Sequence, residues 1–156
     1  MMFSTKAEYG VRVMVALAQR AQASPDGEEP VIPLAEIAEH DGLPLAYLEH
    51  LVARLRKAGL IESRRGSRGG YMLARAPKEI TMAEVVEALE GSIAPIECIS
   101  SGPDGTIRCS RESEPDHVCT TKLLWTRVRA SIIDTLRETT LDELIPATER
   151  QKVVAA

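Results

Sequence analysis

Aromatic residues are scarce in this chain: one Phe, one Trp and three Tyr make up 3% of 156 residues. Single-stranded nucleic acids are held largely by stacking bases on aromatic rings, so a base-stacking platform of that kind is not expected. No apolar run approaches the ~20 residues that a membrane span requires. Met1 to Tyr9 holds no basic stretch followed by a short apolar core, so no secretory signal is expected. The expected compartment is the cytoplasm, with no membrane contact. No glycine-rich phosphate loop is present either, which excludes a large α/β nucleotide enzyme. Cysteine is confined to Cys98, Cys109 and Cys119, within 22 positions, and an odd set of thiols in a reducing compartment does not build a disulfide framework. What remains, 44% hydrophobic and 27% charged residues, is the composition of a folded chain of about one domain.

Positive charge is in deficit overall, with a net charge of −4, yet it is concentrated. Between His50 and Lys78 stand Arg54, Arg56, Lys57, Arg64, Arg65, Arg68, Arg75 and Lys78 against the single acid Glu62, a segment of +7 on a remainder of −11. A basic segment on an acidic body is the electrostatic mark of a surface that binds a polyanion. A solvated charged face is the alternative, and the local structure must decide between them.

Thr5 and Glu8 have capping-box spacing, and Val11, Met14, Val15 and Ala18 follow at helical intervals. A first helix is therefore expected over about 5–22, with Thr5 as its N-cap. Pro33 opens a short helix that Asp41-Gly42 ends. Pro44 opens another, with Leu48, Leu51, Val52 and Leu55 on one face and Gly59 as its stop. Leu60–Arg64 and Tyr71–Arg75 read as strands around a Gly- and Arg-rich turn. Two helices, the second the more basic, followed by a basic hairpin form a winged helix-turn-helix pattern. Thr81 and Glu84 make a second capping box, and Gly91 ends that helix. Residues 92–119 show no period and hold all three cysteines. From about Thr120 to Arg137 a helical period returns in Leu124, Val128, Ile132 and Leu136, flanked by Trp125 and Ile133. It suits a dimerisation helix or a core helix of the same subunit. The fold class is thus mainly α with a small β-hairpin wing. Residues 1–91 form the DNA-binding unit, 92–119 a cysteine-bearing loop, 120–145 the dimerisation helix and C-terminal segment, and 146–156 a disordered tail.

Phe3-Ser-Thr-Lys-Ala-Glu-Tyr-Gly-Val-Arg12, Tyr47-Leu-Glu-His-Leu-Val-Ala-Arg-Leu-Arg-Lys-Ala-Gly-Leu60, Arg64-Arg-Gly-Ser-Arg-Gly-Gly-Tyr71 and Ile80-Thr-Met-Ala-Glu-Val-Val-Glu-Ala-Leu-Glu-Gly91 occur in that order. Together they resemble the IscR/NsrR-type bacterial regulators, the Rrf-two family, over nearly the whole chain to about Ile145. The resemblance implies a homodimeric transcription factor on a double-stranded DNA operator. Many members carry an iron–sulfur cluster, 2Fe–2S or 4Fe–4S, that tunes DNA binding.

The helix from Pro44 to Ala58 is expected to enter the major groove with its first turns, bringing Tyr47 and His50 to phosphates or base edges. Glu49 can accept a hydrogen bond from cytosine N4, and the resemblance implies base readout there; a surface pair with an arginine is the other possibility. Of Arg54, Arg56 and Lys57, one or two are expected at the DNA backbone and the rest in solvent. Arg65, Ser67 and Arg68 at the hairpin tip suit the minor groove, and Arg65 aligns with the family's wing arginine. Many relatives open this helix with serines where this chain has Pro44 and Ala46, so the preferred operator is expected to differ.

The resemblance makes Cys98, Cys109 and Cys119 cluster ligands, since thiolate is the usual donor and such clusters take four. Ten and nine residues separate them, wider than in the commonest members, and Lys122 stands where some relatives have a ligand histidine. For the fourth ligand the resemblance offers Glu8 of the other subunit, against its capping role. His117 is the next candidate, and Arg12 a weaker one because a guanidinium is a poor donor. Zinc sites place cysteines two to four residues apart, which does not occur here. Direct thiol oxidation is a further option, as is a cluster-free regulator answering to a metabolite or protein. A hydrolase would need a base beside a thiol. His117 alone could serve, no transfer motif accompanies it, and no enzyme is expected.

Overall fold

The computed structural model describes residues 3–24, 30–96, 98–102, 106–111 and 119–145. Helix α1 spans Thr5–Ala23, and its N-cap is Ser4 rather than Thr5: Ser4 is extended (φ −95°, ψ 172°) and its hydroxyl accepts from the Lys6 amide. The shift by one residue is set far away in the chain. The Glu90 carboxylate receives the Ser4 amide at 3.0 Å, the Ser4 hydroxyl, and the Lys6 ammonium at 3.3 Å. Glu8, released from any capping role, pairs with Arg12 at 2.7 Å on the exposed face.

Helix α2, Leu34–Asp41, and helix α3, Leu45–Lys57, are joined by a turn in which Gly42 is left-handed (φ 64°), a conformation that costs glycine least. Strands β1 (Ile61–Arg64) and β2 (Gly70–Leu73) pair antiparallel, Ile61 opposite Leu73 and Arg64 opposite Gly70. Ile32 bridges to Tyr71 on the outer side of β2. The second strand ends at Leu73, short of the expected Arg75, whose guanidinium pairs with Glu84 at 2.8 Å. Helix α4, Met82–Glu90, starts with the expected capping box: the Glu84 amide reaches the Thr81 hydroxyl at 3.3 Å, and the Glu84 carboxylate receives the Thr81 amide at 2.9 Å.

Residues 92–119 are not wholly without regular structure. Strands β3 (Ile99–Ser101) and β4 (Ile107–Cys109) form a small antiparallel hairpin with Ile99 opposite Cys109. Helix α5 spans Lys122–Glu138, and a 3-10 turn follows at Leu141–Leu144.

One core unites Val13, Met14 and Leu17 of α1 with Leu48, Leu51 and Leu55 of α3 and Val85 and Leu89 of α4. Each such side chain, fully buried, stabilises the fold by ~1.5–3 kcal/mol before entropy is set against it. α1 and α4 touch so closely that a Cβ on Gly10 would lie 2.0 Å from Leu89 Cδ1. The segment after α5 folds back into this core: Leu141 and Ile145 are buried in it, and the Leu141 amide donates to Ile80 O at 2.9 Å. A second cluster, Val86, Ile93 and Ile133, docks α5 on α4. No helix among the described residues is long and apolar enough to cross a membrane.

Candidate nucleic-acid interface and cysteine site

The outward face of α3 follows from its period. Leu48, Leu51, Val52 and Leu55 are buried, which leaves Ala46, Glu49, His50, Ala53 and Lys57 exposed on the other side. Among the described residues no arginine pairs with Glu49, so its carboxylate stands in solvent on a basic element. Tyr47 is placed differently from the expectation of an exposed start. It is half-buried, and its ring meets Tyr9 edge-on with centroids 5.8 Å apart. Arg54 donates to Leu89 O at 3.0 Å, tying α3 to the C-terminal end of α4, and Arg56 donates to Ser63 Oγ at 3.2 Å, tying α3 to β1. Lys57 and His50 are exposed.

At the wing, Arg65, Gly66, Ser67 and Arg68 are all exposed, with Gly66 at φ 114° and the Gly69 amide closing the turn onto Gly66 O at 2.9 Å. An open cleft beneath the tip is lined by Arg20, Val31, Arg64, Arg65 and Arg68. Arg20 also pairs with Glu36. Sequence reading left Arg20 out because it lies 30 residues before the basic segment; only the folding of α1 against the hairpin brings it there.

The cysteines lie at the open end of the β3–β4 hairpin and just ahead of α5. Cys109 is buried, while Cys98 and Cys119 are half-buried; all three are free thiols. Cys98 is next to the cross-strand partner of Cys109, and its carbonyl accepts from the Ser110 amide at 2.9 Å. The hydroxyl of Thr121 lies 3.7 Å from Cys119 Sγ. Hydrogen bonds from the Thr121 hydroxyl and amide, joined by weaker ones from the Cys109 thiol and the Lys122 amide, outweigh slight desolvation and hold the Cys119 thiol below its ordinary value. The Cys109 thiol thus acts on the Cys119 thiol across nine intervening residues. No three His, Cys, Asp or Glu side chains converge at metal-holding distance among the described residues. Glu8 and Arg12 engage each other on α1, and His117 lies outside the described residues. The chemistry of the donor set suits a thiolate-bound group: Cys98 stands just ahead of β3, Cys109 ends β4 and Cys119 precedes α5.

Residues 3–147 match the family described as Rrf2, iron-dependent transcriptional regulator. The HTH-type transcriptional regulator CymR of Bacillus subtilis (strain 168) is 36% identical over 152 residues, covering 97% of this chain and 95% of that protein. The HTH-type transcriptional regulator IscR of Pectobacterium carotovorum subsp. carotovorum (strain PC1) is 37% identical over 145 residues, 93% of this chain and 79% of that protein. A solved structure of CymR, described as the global cysteine regulator of B. subtilis, superposes with a TM-score of 0.70 at 35% identity, covering 92% of this chain and 95% of that one.

Proposed function

Because the chain belongs to the Rrf2 family of DNA-binding transcriptional regulators, we propose that it grips its operator as a symmetric dimer, with a strength set by an iron–sulfur cluster on Cys98, Cys109 and Cys119. The observation that carries the reading is the β3–β4 pairing that sets Cys109 opposite the residue after Cys98, with the Cys109 thiol acting on that of Cys119. Residues that serve only packing have no reason to gather three thiols around one hairpin end, two of them half-exposed, and the family's own description is iron-dependent.

In this reading Glu8 of the partner subunit completes the ligand set. It must leave Arg12 to do so, and the exposed geometry of that pair makes the exchange cheap. A bound cluster supplies a labile crosslink between the hairpin and a first helix. The protein side of the coupling runs through backbone ties. Arg129 of α5 donates to Ile93 O at 2.9 Å, just after α4, and Arg54 of α3 donates to Leu89 O at the end of α4. Motion at Ile93 and Leu89 therefore reaches the α3 that enters the major groove. Arg65, Ser67 and Arg68 hold the minor groove, Glu49 and His50 face base edges, and Arg56 and Lys57 flank the backbone. Half-sites have a fixed pitch, so a small change in the spacing of two α3 helices changes affinity.

Anaerobically purified protein is expected to be coloured, to contain iron and acid-labile sulfide, and to lose both when the three cysteines are replaced by serine. Colourless, iron-free protein from iron-replete cells overturns the reading. The action of the Cys109 thiol on that of Cys119 also supports a second one, in which peroxide oxidises the pair to a disulfide: both thiol protons and two electrons pass to the peroxide, which leaves as water. Loss of two hydrogens by mass, confined to the peptides bearing Cys109 and Cys119 and accompanied by no visible absorbance, selects it.

A further inference from the structure

Four large apolar side chains are exposed among the described residues: Leu45, Leu123, Leu124 and Leu144. The last three lie on α5 and the turn after it. Leu45 does not. It is the first residue of α3, 41% exposed, and it stands between the exposed Pro44 and Ala46. No side chain caps this helix start and no acid occupies its first turn, so the leading end of α3 is apolar where most helices place Ser, Thr, Asp or Asn.

The helical repeat carries that apolar character onto the outward face. Ala46 precedes Glu49 by three residues, His50 by four and Ala53 by seven, and all are exposed; Leu45 precedes Glu49 by four. The face reads methyl, polar, methyl. Its charged neighbours are Arg56 and Lys57 and the wing arginines, which suit a polyanion and repel a second copy of the same patch. In the major groove the apolar group at a base edge is the 5-methyl of thymine.

We propose that Leu45 and Ala46 read thymine methyl groups in each operator half-site and are specificity-determining residues of this regulator. The inference rests on the placement of α3 in the major groove put forward above. Alanine at 46 and 53 lets the helix approach closely, while Leu45 reaches a base beyond the one faced by Glu49.

The probe is a short duplex enriched from a random library by the full-length protein, with each thymine replaced singly by deoxyuridine, which removes only the methyl. One or two positions per half-site are expected to weaken binding about fourfold each, the worth of one buried methyl. Leu45→Ala, which keeps the fold by circular dichroism because the side chain is exposed, is expected to abolish the sensitivity at one of them. A duplex that stays tightly bound with every uracil neutral overturns the inference and leaves the DNA-binding reading intact. So does a Leu45→Ala protein with an unchanged uracil profile, including one that has lost its dimer. Failure to enrich any sequence overturns the α3 reading and this inference with it.

Discussion

Gly10 is where a single methyl has least room. Its Cβ would overlap the Leu89 side chain, and Leu89 is held inside the core. Gly10→Ala is expected to destabilise the fold by ~1–3 kcal/mol, the usual cost of overpacking, read from urea denaturation. An unchanged midpoint would mean that α1 and α4 can part without loss. Arg65 makes the complementary case at the surface. Among the described residues it has no partner to lose, so Arg65→Ala is expected to leave the melting temperature alone and weaken binding to the enriched duplex by ~1–3 kcal/mol. Equal affinity removes the wing contact. At this scale sequence and structure part where a distant residue decides. Ser4 and Thr5 are both good caps, and the choice between them falls to Glu90, 86 residues from Ser4. Arg54 is one of three basic residues whose sequence spacing leaves DNA backbone and solvent equally open, and the Leu89 carbonyl on α4 accepts from it in the fold.

Elements were legible where their signals were local. The capping box of α4 and the glycine stop of α2 lie within a few residues of what they control, and both are present. The β3–β4 hairpin escaped notice because strands of three residues hardly register a period of two. Gly102-Pro103-Asp104-Gly105 between two isoleucine-bearing runs was the available signal. Beside the apolar packing of α1 on α4, the start of α1 is tied to the end of α4 by charge. Burial pushes the Glu90 carboxyl up, but hydrogen bonds from the Ser4 hydroxyl and amide and from Lys6 outweigh it and hold the carboxyl below its ordinary value. A lowered carboxyl stabilises the fold fully above the ordinary carboxylate range and loses that contribution as pH falls through the lowered value. Glu90→Gln is therefore expected to cost ~1 kcal/mol near neutral pH. The gap from the parent should close in acid, as followed by thermal melts at several pH values. A gap independent of pH would contradict the charged joint.

Across the whole molecule, α5 stands out because it is amphipathic yet buries only Ile133 among its residues, with Leu123 64% and Leu124 56% exposed. The helical period predicted the helix; whether one chain or two would cover it could not be read from a period that is the same in both cases. The proposed symmetric dimer covers that face, so Leu124→Glu is expected to shift sedimentation from dimer to monomer while the winged-helix core, which does not contain Leu124, keeps its melting transition. A variant that stays dimeric places the subunit contact elsewhere. The cysteines and the proposed reading face of α3 lie on different elements, joined through α4, so any coupling between them is a property of the assembled protein alone. The most direct test is one titration performed twice: the enriched duplex against anaerobically purified protein, before and after iron is stripped by a chelator, at one salt concentration because phosphate contacts dominate affinity. The account predicts curves separated by about 5- to 150-fold, the range of ordinary allosteric coupling. Superimposed curves from protein shown to have held and lost its iron would contradict it.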